Sequence, residues 1–342
     1  MSDPRVAVVG ATGAVGTTML QLLRERGFPA SEIVPFASER SAGRELDGLT
    51  VRPLAEKEIG GFDLALFSAG SSVSREWAPK FVDRGAVVVD NSSCWRMDPE
   101  VALVVAEVNP EALDSHTGII ANPNCSAMQA LVVLKPIEDA AGLERIVFSS
   151  YQSTSGTGAR AVEELKDQSH AILHGMEPPA PEIYPHRIAF NVLPQVETFK
   201  DGDDYTTEER KVIAESRKIL GLPELRITAT CARVPVLNCH SESLNVETRS
   251  DLPPEQCREL LAAAPGVIVV DEPAAGRYPL ASEAAGRDEV LVGRIRRDES
   301  NPRTLNMWVV GDNLRKGAAT NAIQIAELLI DRRLLGRARA AA

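Results

Sequence analysis

Residues 122–126, Asn-Pro-Asn-Cys-Ser, set one thiol, Cys125, just ahead of the apolar, helix-like run AMQALVVL at 127–134. A sulfur at a helix N-terminus faces unpaired backbone N–H groups and the positive end of the helix dipole, and both favour thiolate over thiol. Thiolate is the nucleophilic form, so position makes Cys125 a candidate nucleophile; packing as a small buried hydrophobe is the alternative. A second group is His240, within Asn-Cys-His-Ser-Glu at 238–242, a short polar loop between two strand-like runs where its ring could stay accessible. Thiolate and imidazole form the simplest nucleophile–base pair, and imidazole titrates near neutral pH almost unaided. Arg233, seven residues earlier, ends a strand of small residues. The polar loop 151–158, Tyr-Gln-Ser-Thr-Ser-Gly-Thr-Gly, follows the strand-like 146–149 and can present hydroxyls and the Gln152 amide to a ligand. At 206–211, Thr206 and Glu209 fit a capping box, and Glu208 and Lys211 share one helix face, where a surface ion pair is the plain alternative.

These groups need elements to hold them. The apolar run 5–9, RVAVV, suits a parallel strand buried on both faces. It feeds Gly10-Ala11-Thr12-Gly13-Ala14-Val15-Gly16, then a helical pattern over 17–26 ended by Gly27. Strand, glycine-rich turn and helix let backbone N–H groups approach a pyrophosphate, although the spacing is GxxGxxG rather than GxGxxG. A second strand over 33–37 leads to Ser38, Arg40 and Ser41, hydroxyls and a cation where a 2′-phosphate would sit, which points to NADP; Glu39 is the acidic residue that could oppose it. Further strand patterns at 64–68, 86–90 and 118–121 alternate with helical ones such as 74–81, predicting an α/β, doubly wound, Rossmann-like parallel sheet. Cys125 then follows the carboxyl end of a sheet strand, the edge where such folds bind ligands, near the nicotinamide.

After about residue 122 the pattern changes. Period-2 runs at 227–234, 242–248, 289–295 and 305–310 predict an α+β second domain with a mixed or antiparallel sheet covered on one face. From Gly317 the chain is helical again and is expected to complete the first domain. This gives 1–122 plus 318–342 for the cofactor and 123–317 for a second, catalytic domain. The Ala/Arg-rich last residues are expected to fray.

The 342 residues allow two domains of ordinary globular composition, 44% hydrophobic and 25% charged. A net charge of −11 repels phosphate at long range and argues against nucleic acid and anionic membrane as partners. A phosphate-bearing ligand would then need local cations. No apolar run reaches the ~20 residues that span a bilayer, and the start shows no signal-peptide pattern. Five cysteines (94, 125, 231, 239, 257) without CxxC or zinc-ligand spacing suggest a reducing, cytoplasmic setting and no metal.

Several separate blocks in order carry a resemblance: 10–16, 38–43, Asn91-Ser92-Ser93-Cys94-Trp95-Arg96, 122–126, 152–158, 208–211, 233–241, and Asp312-Asn313-Leu314-Arg315-Lys316-Gly317. Together they resemble the aspartate-β-semialdehyde dehydrogenase family over essentially the full length. The resemblance implies NADPH-dependent reductive dephosphorylation of L-aspartyl 4-phosphate to L-aspartate 4-semialdehyde, or the reverse with inorganic phosphate, in the synthesis of lysine, threonine, methionine and diaminopimelate. It implies Cys125 as nucleophile, His240 as general acid/base and Gln152 as the residue orienting the intermediate. Arg233 would clasp the α-carboxylate, Glu208 would meet the α-ammonium, and Arg96 and Lys211 would hold phosphate. Residues 10–16, Ser38, Arg40, Ser41, Ser155, Gly156 and Asn313 would contact NADP, and a homodimer is implied. Two positions depart from the family: Cys239 stands where glycine is expected, so close to the base that it could alter its setting or make it oxidation-prone, and Ala127 where threonine is frequent.

The chemistry is coherent by itself. An aldehyde has no leaving group, so thiolate addition first makes a tetrahedral adduct able to expel hydride toward a nicotinamide. Backbone N–H groups at the start of the Cys125 helix could meet the oxygen charge. The nearest rival, an N-acetyl-γ-glutamyl-phosphate reductase, would share fold and thioester logic, but the Gln152 loop and the Glu208/Lys211 pair suit a smaller substrate with a free amine. A non-catalytic NADP-binding protein is the rival of another class.

Overall fold

The computed structural model describes residues 3–336; residues 1–2, and 337–342 of the end expected to fray, lie outside the described residues. The chain divides into two compact units, Met1–Asn124 with Ala318–Ala342, and Cys125–Gly317.

In the first unit the described strands are β1 (Arg5–Val9), β2 (Glu32–Ala37), the hairpin β3 (Glu45–Leu46) and β4 (Leu49–Thr50), β5 (Arg52–Pro53), β6 (Leu64–Phe67), β7 (Val87–Asp90), β8 (Ala102–Leu103) and β9 (Ile119–Ala121). Seven of them form a parallel sheet in the order β5-β2-β1-β6-β7-β9-β8. The continuous apolar runs are buried on both faces, as helices on each side require. Alternate residues serve the two faces. Val6, Val8, Leu64 and Leu66 pack with Met19 and Leu22 of α1 (Ala14–Glu25) and with Ile323 and Leu329 of the helix Asn321–Asp331. Ala7, Val9, Ala65 and Phe67 pack on the other side with Phe81 of α2 (Ser71–Asp83). Chain order reverses between β1 and β6, so a ligand crevice opens at the carboxyl ends of those two strands.

The second unit carries α3 (Cys125–Ala141), β10 (Leu143–Gln152), α4 (Ala159–Leu173), α5 (Thr207–Leu220), β11 (Arg226–Arg233), β12 (His240–Thr248), α6 (Pro254–Ala262), β13 (Val267–Val269), the short α7 (Ala281–Ala284), β14 (Val290–Arg297) and β15 (Thr304–Gly311). Its described strands form one sheet, β11-β10-β12-β15-β14-β13. The sheet is mixed. β10 runs parallel to β11 and β13 to β14, while the other pairs are antiparallel. A parallel neighbour needs a crossover, and 154–225, with α4 and α5, supply it between β10 and β11. Along β12 the even residues are buried beneath α3 and the odd ones half-buried on the opposite face, where Tyr151 and Trp308 lie ring to ring at 5.4 Å.

Candidate active site

In the second unit, register turns distant residues into one row. Gln152 pairs with Arg233, and Ser241 with Tyr151, which brings His240 level with Gln152; His240 pairs in turn with Gly311. Arg233, Gln152 and His240 are all buried on the face that α3 covers. Cys125 is the first residue of α3, half-buried, with no acidic residue in the first turn to oppose a thiolate. One turn on, Gln129 Nε2 donates to the His240 carbonyl at 3.2 Å and holds the start of α3 over the row. Gly317 lies against the nucleophile: a Cβ there would stand 2.8 Å from Cys125 Cβ.

His240 is not in an accessible loop. It is the first residue of β12 and fully buried. The polar run 238–242 reads as a loop because the buried positions 240 and 242 carry titratable groups instead of the apolar ones that announce a strand. The Ser153 backbone N–H donates to Nδ1 at 3.1 Å, and Ser153 Oγ lies 3.1 Å from the same nitrogen. A backbone N–H can only donate, so the proton of the neutral ring sits on Nε2. Nε2 is buried without a protein partner and borders Gly156, where a Cβ would come within 3.2 Å of it. Burial, then the Arg233 charge, hold the imidazole well below its usual pKa, leaving it neutral. The ring therefore offers Nε2–H to whatever oxygen enters.

Arg233 Nη1 donates to the Ser153 carbonyl at 2.7 Å, while its buried Nε has no partner, and among the described residues no carboxylate pairs with this guanidinium. A buried cation left so is costly until an anion arrives. The Tyr184 ring lies 5.9 Å from its Cζ. Gln152 Nε2 donates to Glu208 Oε1 at 3.0 Å, so row and helix start are joined. The capping box at Thr206 and Glu209 forms as the sequence suggests and buries Glu208 in the first turn of α5. Lys211 pairs with Glu197 and, at 3.9 Å, with Glu208.

Ser155 and Asn313 bond one another, and Asn313 Oδ1 also accepts from Ser153 Oγ and from the Cys239 N–H. Asn313 thus joins the 153–155 loop to residue 239. Cys239 holds φ +73°, the left-handed region that favours glycine, which accounts for glycine being expected there. Its side chain packs with Ala284, Leu291 and Val310, and burial pushes the thiol up to about 12. The expectation of an oxidation-prone thiol beside the base is corrected: a protonated, buried sulfur is inert. Ala127 is buried in α3.

In the first unit, Gly10 has φ +85°, and a Cβ there would meet the Ser68 carbonyl at 2.3 Å. At Gly16 a Cβ would strike the Gly10 carbonyl at 2.2 Å. Residues 12–15 lie at the surface, and α1 begins after Gly13 with neither a capping side chain nor an acidic residue in its first turn. Its free N–H groups fit a pyrophosphate. Ser38 and Arg40 are exposed at the turn Glu39–Ser41 beyond β2, as is Glu39, and Arg40 has no ion pair among the described residues. Arg96 is buried; Nε donates to the Asn122 carbonyl at 2.9 Å and Nη2 to that of Asn91 at 2.7 Å. Among the described residues no cluster could hold a metal ion, and no helix is long and apolar enough to cross a membrane.

Sequence reasoning did not single out Ser153, Gln129, Gly311 or Glu242. For Glu242 the one signal is its two-residue spacing from His240, matched by Ser150–Gln152 and Cys231–Arg233, which marks one face of neighbouring strands.

Two family models cover most of the chain: semialdehyde dehydrogenase, NAD binding domain, over residues 5–116, and semialdehyde dehydrogenase, dimerisation domain, over residues 134–316. That sets the class, an oxidoreductase scaffold with a Rossmann-like sheet and a second, mixed-sheet domain. The aspartate-semialdehyde dehydrogenase of Aquifex aeolicus is 54% identical over 338 residues, 97% of this chain and 99% of that protein. The crystal structure of aspartate semialdehyde dehydrogenase II from Vibrio cholerae superposes with a TM-score of 0.93 at 45% identity, covering 96% and 99% of the two chains; the same protein complexed with ASA gives 0.92 at 45%, covering 97% and 99%. The chain belongs to the aspartate-semialdehyde dehydrogenase family.

Proposed function

We propose that the protein interconverts L-aspartyl 4-phosphate and L-aspartate 4-semialdehyde with NADP, through a thioester on Cys125. The observation that carries this is the buried, unpaired Arg233 in one row with Gln152 and His240, with Glu208 joined to Gln152. An amino-acid substrate brings a carboxylate for the Arg233 fork and an ammonium for Glu208. The family relationship supports the semialdehyde, and the ASA complex of the Vibrio cholerae relative agrees with it.

In the oxidative direction the Cys125 thiolate adds to the aldehyde carbon, and the carbonyl π pair moves to oxygen. His240 Nε2–H donates to that oxygen and keeps or recovers the proton when the C=O re-forms. The N–H groups of the first turn of α3 can stabilise the same charge. The Gln152 side chain orients the adduct beside Glu208. The dinucleotide, held by residues 10–16 with Ser38, Arg40 and Ser41 at the ribose and Ser155, Gly156 and Asn313 as further contacts, supplies the hydride acceptor when bound. Phosphate, held by Arg96 and Lys211, then attacks the thioester carbon and Cys125 leaves as thiolate. We assign residues 1–122 with 318–342 to the cofactor and 123–317 to catalysis and dimerisation. The match to a dimerisation domain supports a homodimer, and the biosynthetic role in the cytoplasm follows from the substrate.

The test is NADP reduction by aspartate semialdehyde with and without phosphate, in the parent and in Cys125→Ala. Phosphate-dependent turnover in the parent, absent in the variant, with one thiol alkylated per chain, is the expected result. Turnover surviving the substitution removes Cys125 as nucleophile.

A further inference from the structure

Directly behind the row Arg233, Gln152, His240, Gly311 lies a second, formed by Cys231, Ser150, Glu242 and Val309, which pair in that order across β11, β10, β12 and β15. Glu242 is fully buried there, and neither carboxyl oxygen has a hydrogen-bond donor. Among the described residues no cation pairs with it, and the Cys231 thiol, beyond Ser150 in the same row, is itself pushed up by burial and by the charges of Glu208 and Glu209. A second orphan adjoins it. Gln129 must turn Nε2 to the His240 carbonyl, because a carbonyl only accepts; Oε1 then points away, buried and without a donor. The Gln129 side chain adjoins the Glu242 carboxyl. Gly311 makes room for this carboxamide, since a Cβ there would stand 2.8 Å from Oε1.

Two buried acceptor groups side by side, neither with a donor, are reconciled by a proton on the carboxyl. We propose that Glu242 is a positioning residue of the site, whose carboxyl O–H donates to Gln129 Oε1 and so fixes the amide that ties the His240 backbone to the first turns of the Cys125 helix. Burial, the larger influence, holds this carboxyl well above the usual carboxylate range, which agrees with the geometry. The chain from Glu242 through Gln129 to His240 sets the spacing of nucleophile and imidazole without touching substrate. The inference rests on the thioester chemistry proposed above for its kinetic consequence, but not for its proton.

The experiment has two readouts. In infrared difference spectra of the full chain at neutral pH, wild type minus Glu242→Gln should show the C=O band of a protonated carboxyl. In phosphate-dependent semialdehyde oxidation, Glu242→Gln, which still donates to Oε1, should stay within about two-fold of wild type, while Glu242→Leu should lose about ten-fold in kcat at nearly unchanged KM and Tm. Gly311→Ala, which displaces the carboxamide but keeps Glu242, should reproduce that loss and stands in if the leucine variant does not fold. Absence of the carboxyl band, a glutamine variant as impaired as the leucine one, or a leucine variant with wild-type kcat would each overturn the proposal. A wild-type chain without semialdehyde activity would sink the proposed function, and the band would still decide the proton.

Discussion

Burial and the Arg233 charge lower the His240 pKa below the ordinary 6.5, so the unfolded chain takes up that proton more readily than the folded one. Stability must then decline as pH falls below about 6.5, and His240→Asn should flatten this limb in melts across pH. Glu242 has the opposite sign. Its folded pKa lies above 4.5, the unfolded carboxyl ionises first, and its contribution is lost as pH rises past 4.5. Glu242→Gln should therefore gain Tm over wild type by an amount that grows with pH above that point. At residue 239 two small effects oppose: glycine relieves a left-handed backbone worth about 1–2 kcal/mol but gives up a buried side chain worth about as much. Cys239→Gly should leave the urea midpoint nearly unmoved and activity intact; a large shift of either would show that the thiol matters beyond packing. Cys125 was legible because its surroundings are local, a loop followed by a helix. The hold on the Arg233 guanidinium and the tautomer of His240 were not, since both depend on Ser153, which the fold brings up from 80 and 87 residues away.

At the scale of elements, α5 begins with a complete capping box that also carries Glu208. Thr206→Ala should cost about 1 kcal/mol in urea unfolding, and by loosening the first turn should raise KM for the semialdehyde more than it lowers kcat. Gly317 sits so close to Cys125 Cβ that alanine there must push α3 or the 312–317 segment aside. Gly317→Ala should slow alkylation of Cys125 by roughly ten-fold or more with the fold retained, a loss larger than packing alone would give. The parallel strands of the first unit were readable because burial on both faces leaves unbroken apolar runs such as LALF in β6. Direction in the second sheet was not: alternation reports which face a residue occupies and is silent on whether the neighbour runs up or down. Only the long stretch between β10 and β11 hints at one of the two parallel pairs.

For the molecule as a whole, the −11 net charge contrasts with the local cations at Arg40, Arg96, Lys211 and Arg233. If Arg40 reads a 2′-phosphate, NADP at 100 times its Kd should stabilise the wild type by about 2.7 kcal/mol in thermal melts, with NAD at the same concentration giving much less. Arg40→Ala should erase the difference between the cofactors while sparing the NAD response. Equal responses in the wild type would assign the preference elsewhere.

Cys125 opens the second unit and Gly317 closes it, 192 positions later, yet the two lie wall to wall. The reactive pocket is therefore among the last things a growing polypeptide can finish. A ribosome-bound chain halted short of residue 317 would carry a sulfur lacking one side of its enclosure, and its thiol should label at the pace of a free cysteine until the final segment emerges.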